Sequence, residues 1–113
     1  IRDFAFSEDV ADGIIQTLYF GTRNQNFLNL GSGKGVRIKK LVQTLSKIVK
    51  FDYKFDVKKN SGFPKRIMDI TKARKIIKYN PKTDLYTGLK KTWEWFIKNN
   101  DEFKKRHNYF VNK

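Results

Sequence analysis

The residues best suited to binding chemistry are basic side chains on two segments of the chain. Arg2 precedes the apolar and aromatic run Phe4–Phe6, so we expect it close to the core. The second group flanks the short turn Gly62–Pro64 and consists of Lys58, Lys59, Lys65 and Arg66. Arginine and lysine on short, rigid loops are suited to binding a diphosphate. A solvated loop would carry the same residues, and composition alone slightly favours that alternative.

A catalytic or metal centre is not supported by the residue types present. His107 is the only histidine, and without acids or cysteines arranged around it we interpret it as a solvated surface residue. No nucleophile stands beside a base. Most of the acidic residues stand at predicted helix starts, where capping explains them: Asp3, Glu8, Asp9, Asp69 and Asp84. We therefore expect binding, and no chemistry, from this chain alone.

The glycine-rich segment Gly31–Gly35 lies between a predicted strand and a predicted helix. Backbone N–H groups at such a position can bind an anion. However, its glycine spacing matches neither the dinucleotide-binding G-x-G-x-x-G nor the phosphate-binding G-x-x-x-x-G-K-[ST] pattern. A tight turn between packed elements is the favoured interpretation.

The elements that must position these residues form a small mixed α/β unit. Four helices are predicted, beginning near Ser7, near Ile38, at Thr71 and at Thr83–Asp84. The first carries one apolar stripe of Val10, Ala11, Ile14, Ile15 and Leu18, and the last is expected to have Leu85, Leu89, Trp93 and Phe96 on its inner side. Three strands are predicted over Phe27–Leu30, Phe51–Val57 and Arg66–Ile70.

The formal net charge of +14, in a chain of 113 residues, attracts polyanions. The lysines are spread along the chain, which favours a solvated surface for most of them. A basic nucleic-acid-binding module is the rival interpretation, since Phe51, Tyr53 and Phe55 could stack on bases. These aromatics alternate with charged residues, so one face of their strand is expected in the core.

Composition also bounds the cellular setting. The chain has no cysteine, no apolar run long enough to span a bilayer and no secretory leader. A cytoplasmic protein is therefore predicted, with no membrane partner. Because the chain begins at Ile1 and not at an initiator methionine, we expect it to be part of a longer protein.

Three segments together resemble extended short-chain dehydrogenases of the NAD-dependent epimerase/dehydratase family that act on nucleotide sugars. Arg2–Ala11 is similar to the family's R-[DE]-F-x-x-V-x-D-[VL]-A, and Leu28–Gly33 to its [YF]-N-[IVL]-G-[ST]-G. Ser61–Lys72 resembles D-G-T-P-R-K-L-x-D-[VI]-S-[KR] and leans toward the GDP-fucose synthase branch. A W-x-P-like segment and a G-[LI]-x-x-T-x-x-W-[FY] helix follow in the family's order.

The resemblance implies that residues 1–100 form a carboxy-terminal lobe that binds the nucleotide diphosphate sugar, with 101–113 as a charged tail. It implies that Arg2 and Lys59 contact the nucleotide or its diphosphate and that Asn29 lies near the substrate cleft. Lys65 and Arg66 border the same site. The sequence departs from the family at Ser61, Phe63 and Lys65, where Asp, Thr and Arg are usual. These departures leave the exact substrate open.

The resemblance places the Rossmann domain, with its NAD(P) site and catalytic Tyr-x-x-x-Lys pair, outside residues 1–113. The expected function is therefore the substrate-binding lobe of a nucleotide-sugar epimerase or reductase that resembles GDP-4-keto-6-deoxymannose epimerase-reductase. Nucleic acid is not an expected partner, and any homodimer would form through the Rossmann domain. The alternatives are the nucleic-acid-binding module and a non-catalytic relic of the family.

Overall fold

The computed structural model describes residues 1–22, 27–58 and 62–101, which form a mixed helix and sheet unit. In chain order its elements are β1 (Arg2–Asp3), α1 (Ser7–Phe20), β2 (Gly35–Val36), α2 (Ile38–Leu45), α3 (Thr71–Ile77) and α4 (Leu85–Lys98). The two short strands pair antiparallel, with Arg2 opposite Val36. Helix α1 packs on α3, and α2 packs on α4.

The core lies where α3 and the residues after it meet α1. Its buried members are Ile70, Ala73, Ile77 and Tyr79, with Leu28, Leu30 and Ile76 packed against them. Lys78 ends α3 in the left-handed conformation (φ 57°), and the Tyr79 N–H donates to the Ala73 carbonyl. This turn directs the Tyr79 side chain back into the core.

The apolar stripe of α1 does not lie in the core of the described residues. Its buried residues are Asp9 and Gly13, whereas Ile14, Ile15 and Leu18 are exposed. Gly13 is buried because the Tyr79 ring lies against it: a Cβ there would stand 2.8 Å from Tyr79 Cε2. Because Gly13 has no side chain, the Tyr79 ring can lie directly against the backbone of α1. The face of α1 that carries Gly13 is therefore the one that packs on the core.

The capping role predicted for Asp9 is wrong. Helix α1 has no side-chain cap at its amino end. The Asp9 carboxylate instead accepts hydrogen bonds from the backbone N–H groups of Lys82 (3.1 Å) and Thr83 (3.0 Å). Asp84 does cap α4, accepting from Tyr86 N and Thr87 N, as predicted.

The three predicted strands are largely wrong. Phe27–Leu30 and Phe51–Val57 have no regular hydrogen-bonded structure, and Arg66–Ile70 contributes only a single bridge from Arg66 to Arg2. A strand needs a neighbour to satisfy its backbone, and within the described residues neither of the first two segments has one. The Phe51, Tyr53 and Phe55 rings are therefore exposed and contact one another.

Among the helices that the structure describes, none has both the length and the apolar character needed to cross a bilayer. Of the tail, only Asp101 is described, so the predicted boundary at residue 100 and the interpretation of His107 concern residues outside the described part.

Candidate functional site

Arg2 and Arg66 lie on adjacent backbone segments, although 63 residues separate them in the sequence. The two residues form a parallel bridge, and the Arg66 N–H donates to the Ile1 carbonyl at 3.0 Å. Arg2 is partly buried in β1, while Arg66 is exposed. The fold thus brings together two of the predicted site residues.

The two arginines line one cleft of about 400 Å³, together with Asp3, Ile67 and Met68. Its wall therefore combines two guanidinium groups with apolar side chains. Small-molecule sites have this character, since apolar surface excludes water while a few polar groups fix the orientation of the ligand. Among the described residues, no group of three or more His, Cys, Asp or Glu side chains is arranged to hold a metal ion.

The loop beside the cleft is held by the same two arginines. Arg2 Nη1 donates to the Phe63 carbonyl at 2.8 Å and to the Ile1 carbonyl at 2.9 Å. The Arg66 guanidinium carbon lies 5.8 Å from the centroid of the Phe63 ring. Gly62 precedes this ring with φ +64°, a conformation that side chains with a Cβ rarely adopt. The turn therefore projects Phe63 beside Arg2 and Arg66.

Asp3 fastens the floor of the cleft, which corrects its predicted role as a helix cap. One carboxylate oxygen accepts from the backbone N–H (2.9 Å) and hydroxyl of Ser32. The other accepts from the N–H groups of Gly33 (3.0 Å) and Met68 (3.1 Å). Asp3 thus ties β1 both to the glycine turn and to the segment after Arg66.

These hydrogen bonds also explain the acidity of Asp3. Burial raises its pKa, but the donors from Ser32, Met68 and Gly33 act more strongly together, so the pKa of Asp3 is lowered from its ordinary value of 3.8. The carboxylate is ionised and fully engaged at neutral pH. Because it already occupies the amides of Ser32 and Gly33, the glycine turn serves as structure, as the sequence indicated, and not as a phosphate cradle.

The remaining predicted site residues are placed differently. Asn29 is partly buried, and its Nδ2 donates to the Asp69 carbonyl at 3.2 Å, close to the segment that carries Arg66. Lys65 is exposed and is not among the lining residues of the cleft. Lys59 lies outside the described residues, so its role stays a prediction.

Sequence reasoning missed Asp3 and Tyr79 as the residues that build this site. The Tyr79 hydroxyl donates to the Gly31 carbonyl at 3.0 Å inside the core. Burial raises the pKa of Tyr79, and the charges of Asp9, Asp3 and Asp12 add to this effect. Neither residue carries a local signal, because the partners of Tyr79 and Asp3 are tens of residues away in the sequence.

Comparisons with known proteins place this arrangement in context. No family model matches the chain. It is 33% identical over 103 residues to GDP-L-fucose synthase 1 of Arabidopsis thaliana, covering 88% of this chain and 31% of that protein. It is 33% identical over 79 residues to GDP-L-fucose synthase of Escherichia coli, covering 68% and 24%.

A solved structure agrees with the sequence relatives. The enzyme WbmF of Bordetella bronchiseptica, determined in complex with NADH, superposes with a TM-score of 0.73 at 30% identity. The match covers 92% of this chain and 31% of that one. The chain therefore spans about a third of the length of the proteins that it matches.

Within the described residues, the glycine turn Gly31–Gly35 does not fit a nicotinamide dinucleotide. It lacks the required spacing, and its amides are bonded to Asp3. The sequence holds two Tyr-x-x-x-Lys spacings, Tyr86 with Lys90 on α4 and Tyr109 with Lys113 outside the described residues. Lys90 Nζ lies 3.9 Å from Glu94 Oε1, and neither Tyr86 nor Lys90 lines the arginine cleft.

The sequence relatives and the solved neighbour agree with the family resemblance of the ordered motifs. The matches to the two GDP-L-fucose synthases and to WbmF each extend over two thirds or more of this chain. The chain belongs to the extended short-chain dehydrogenase, or NAD-dependent epimerase/dehydratase, family, of whose members it spans about a third.

Proposed function

We propose that residues 1–100 are the substrate-binding lobe of a nucleotide-sugar epimerase or reductase that resembles GDP-4-keto-6-deoxymannose epimerase-reductase. The observation that carries the proposal is the pairing of Arg2 and Arg66 across a backbone bridge at one cleft. The names of the relatives support the substrate class, since they include synthases of GDP-L-fucose and GDP-L-colitose.

The chemistry of the cleft suits a diphosphate. Guanidinium groups present several N–H donors in a fixed plane and bind phosphate oxygens in pairs. Arg2 is oriented by its bonds to the Phe63 and Ile1 carbonyls, so little side-chain freedom is lost on binding. Lys65, which is exposed and precedes Arg66 in the sequence, would add positive charge, and the role of Lys59 stays a prediction from the family resemblance.

The proposal assigns binding to this lobe and hydride transfer to a cofactor-binding domain outside it. The reduced cofactor, NAD(P)H, would supply the hydride when bound in that domain, and the cytoplasm is the proposed location. The lobe's own residues hold the nucleotide diphosphate, so the sugar is oriented by an anchor that takes no part in the reaction. Binding energy from non-reacting parts of a substrate commonly serves catalysis in this way.

Calorimetric titration of the full-length protein with GDP-, UDP-, dTDP- and CDP-sugars tests the proposal. Arg2→Ala and Arg66→Ala should each weaken binding of the preferred nucleotide sugar by roughly tenfold or more, because each removes charged hydrogen-bond donors. Lys39→Ala, which removes the same charge from an exposed position on α2, is the control and should leave affinity unchanged. Equal affinities for all three variants and the parent protein would contradict the proposal.

A second candidate function has one observation in its favour. The exposed rings of Phe51, Tyr53 and Phe55 form a ladder with centroid distances of 5.7 and 5.5 Å. Aromatic ladders with nearby lysines bind single-stranded nucleic acid. Here, however, the rings contact one another, which uses part of the surface on which bases would stack. Binding of single-stranded DNA alone, lost steeply with added salt, would favour this function. Binding of neither ligand would favour the non-catalytic relic.

A further inference from the structure

Phe63 is an exposed aromatic side chain at the edge of the arginine cleft. Its ring is 71% exposed and follows Gly62, where a Cβ would meet nothing within 4 Å. The family motif has a small polar residue at this position, so the ring is a feature of this chain. An apolar ring that stays in water contributes no burial free energy to folding, so the ring of Phe63 is available to contact a ligand.

The position of Phe63 is fixed by the residues proposed to bind the diphosphate. Arg2 Nη1 holds the Phe63 carbonyl at 2.8 Å, and the Arg66 guanidinium stands over the ring at 5.8 Å from its centroid. A cation at this distance occupies one face of a ring. The high exposure of the side chain leaves the rest of the ring accessible beside the two arginines.

Two other phenylalanines with a nearby cation show why this location matters. Lys72 lies 4.6 Å from the Phe27 centroid, and Lys91 lies 5.3 Å from the Phe6 centroid. A cation over a ring is therefore common on this surface and indicates no ligand by itself. Within the described residues, Phe63 is the one such ring whose cation also lines the arginine cleft.

We propose that Phe63 is a specificity-determining residue whose ring stacks on the nucleobase of the bound nucleotide, with a preference for purines. The inference rests on the proposed function, because it requires the diphosphate to lie at Arg2 and Arg66. In a nucleotide, a single ribose joins the base to the diphosphate. The Phe63 ring centroid lies 5.8 Å from the guanidinium carbon of Arg66, and the Phe63 carbonyl accepts a hydrogen bond from Arg2 Nη1. Stacking on an aromatic ring is favourable for every base and strengthens with base area.

Titration calorimetry on the full-length protein, with GDP, UDP and inorganic pyrophosphate as probes, tests this inference. Phe63→Thr should weaken GDP binding by about tenfold, weaken UDP binding less and leave pyrophosphate binding unchanged, since only the base contact is lost. Phe63→Tyr should keep the affinity of the parent protein. Phe20→Thr is the matched control, a Phe with an exposed side chain at the end of α1, and should change none of the three affinities.

The outcomes separate this inference from the proposed function. Unchanged GDP affinity in Phe63→Thr, while Arg2→Ala weakens both GDP and pyrophosphate, would overturn the stacking inference and leave the diphosphate site intact. Weakened pyrophosphate binding in Phe63→Thr would show a structural role for the ring and would also overturn it. A loss of GDP affinity of the same size in Phe20→Thr would show that the effect is not specific to Phe63 and would also overturn the inference. Absence of GDP and pyrophosphate binding in the parent protein would overturn both proposals.

Discussion

The two faces of α1 differ in the opposite sense to an ordinary amphipathic helix. Its inner face buries a carboxylate and a glycine, Asp9 and Gly13, while the large apolar residues Ile14, Ile15 and Leu18 face outward. The inner face is specified by shape and hydrogen bonding, through the Tyr79 ring and the amides of residues 82 and 83. Apolar area alone therefore does not decide which face a helix buries.

The same contrast separates the floor of the arginine cleft from the outer face of α1. At the cleft, Asp3 accepts hydrogen bonds from backbone groups of two segments, and in the core behind it Tyr79 donates to the Gly31 carbonyl. On the outer face, Leu18 and Tyr19 are 81% and 79% exposed. Substitutions at matched residues in the two regions should differ strongly in cost, and each of the following tests this difference.

The largest effect is expected at Tyr79. Tyr79→Ala should lower the free energy of unfolding by about 3–5 kcal/mol, because it empties the core and orphans the Gly31 carbonyl. Tyr19→Ala is the matched control on the outer face and should cost within about 0.5 kcal/mol. Urea unfolding followed by circular dichroism measures both. Similar costs at the two tyrosines would remove the contrast.

Local signals made α3 and α4 predictable from sequence, and distant contacts made α1 unpredictable. The Asp84 cap acts on residues two and three positions later, so a short window contains it. The burial of Gly13 depends on Tyr79, whose ring no window around α1 includes. The local sequence predicts the presence and length of α1, but its orientation depends on its contact with Tyr79, which is far away in the sequence.

The candidate site shows the same limit. Arg2 and Arg66 could be selected by residue type and by family resemblance, whereas their adjacency follows from the bridge between segments far apart in sequence. Asp3 was assigned to capping because its donors, at Ser32 and Met68, lie 29 and 65 residues away. The sequence predicts the basic side chains of the site, but it does not predict the hydrogen bonds of Asp3 that hold the site in place.

An intermediate effect is expected at Asp3. Asp3→Asn should lower the free energy of unfolding by about 2 kcal/mol at neutral pH, because an amide presents its own N–H groups to backbone donors. Asp12→Asn, on the exposed side of α1, makes the same chemical change and should have little effect. Urea denaturation at pH 7 compares them. An equal cost at Asp12 would show that net charge, and not the hydrogen bonding of Asp3, is responsible.

The pH dependence of stability should follow the same carboxylate. The pKa of Asp3 is lowered in the folded state relative to 3.8, so its contribution is present above pH 3.8 and is lost as the pH falls through the folded value. The stability gap between the parent protein and Asp3→Asn should therefore be constant near neutral pH and close in acid. Urea unfolding at a series of pH values measures the gap. A gap that widened in acid would contradict the ionised, hydrogen-bonded state of Asp3.

The smallest effect is expected at Leu18, on the outer face of α1. Leu18→Lys replaces an exposed apolar side chain with a charged one of similar helix propensity, so in the 113-residue chain the free energy of unfolding should change by less than about 0.5 kcal/mol. Leu30→Lys, against the core, is the matched control and should unfold the chain or cost several kcal/mol, because it buries a charge. Urea denaturation of both variants provides the measurement. A large loss at Leu18 would mean that the outer face is buried within the chain, which would reverse the assignment of the two faces of α1.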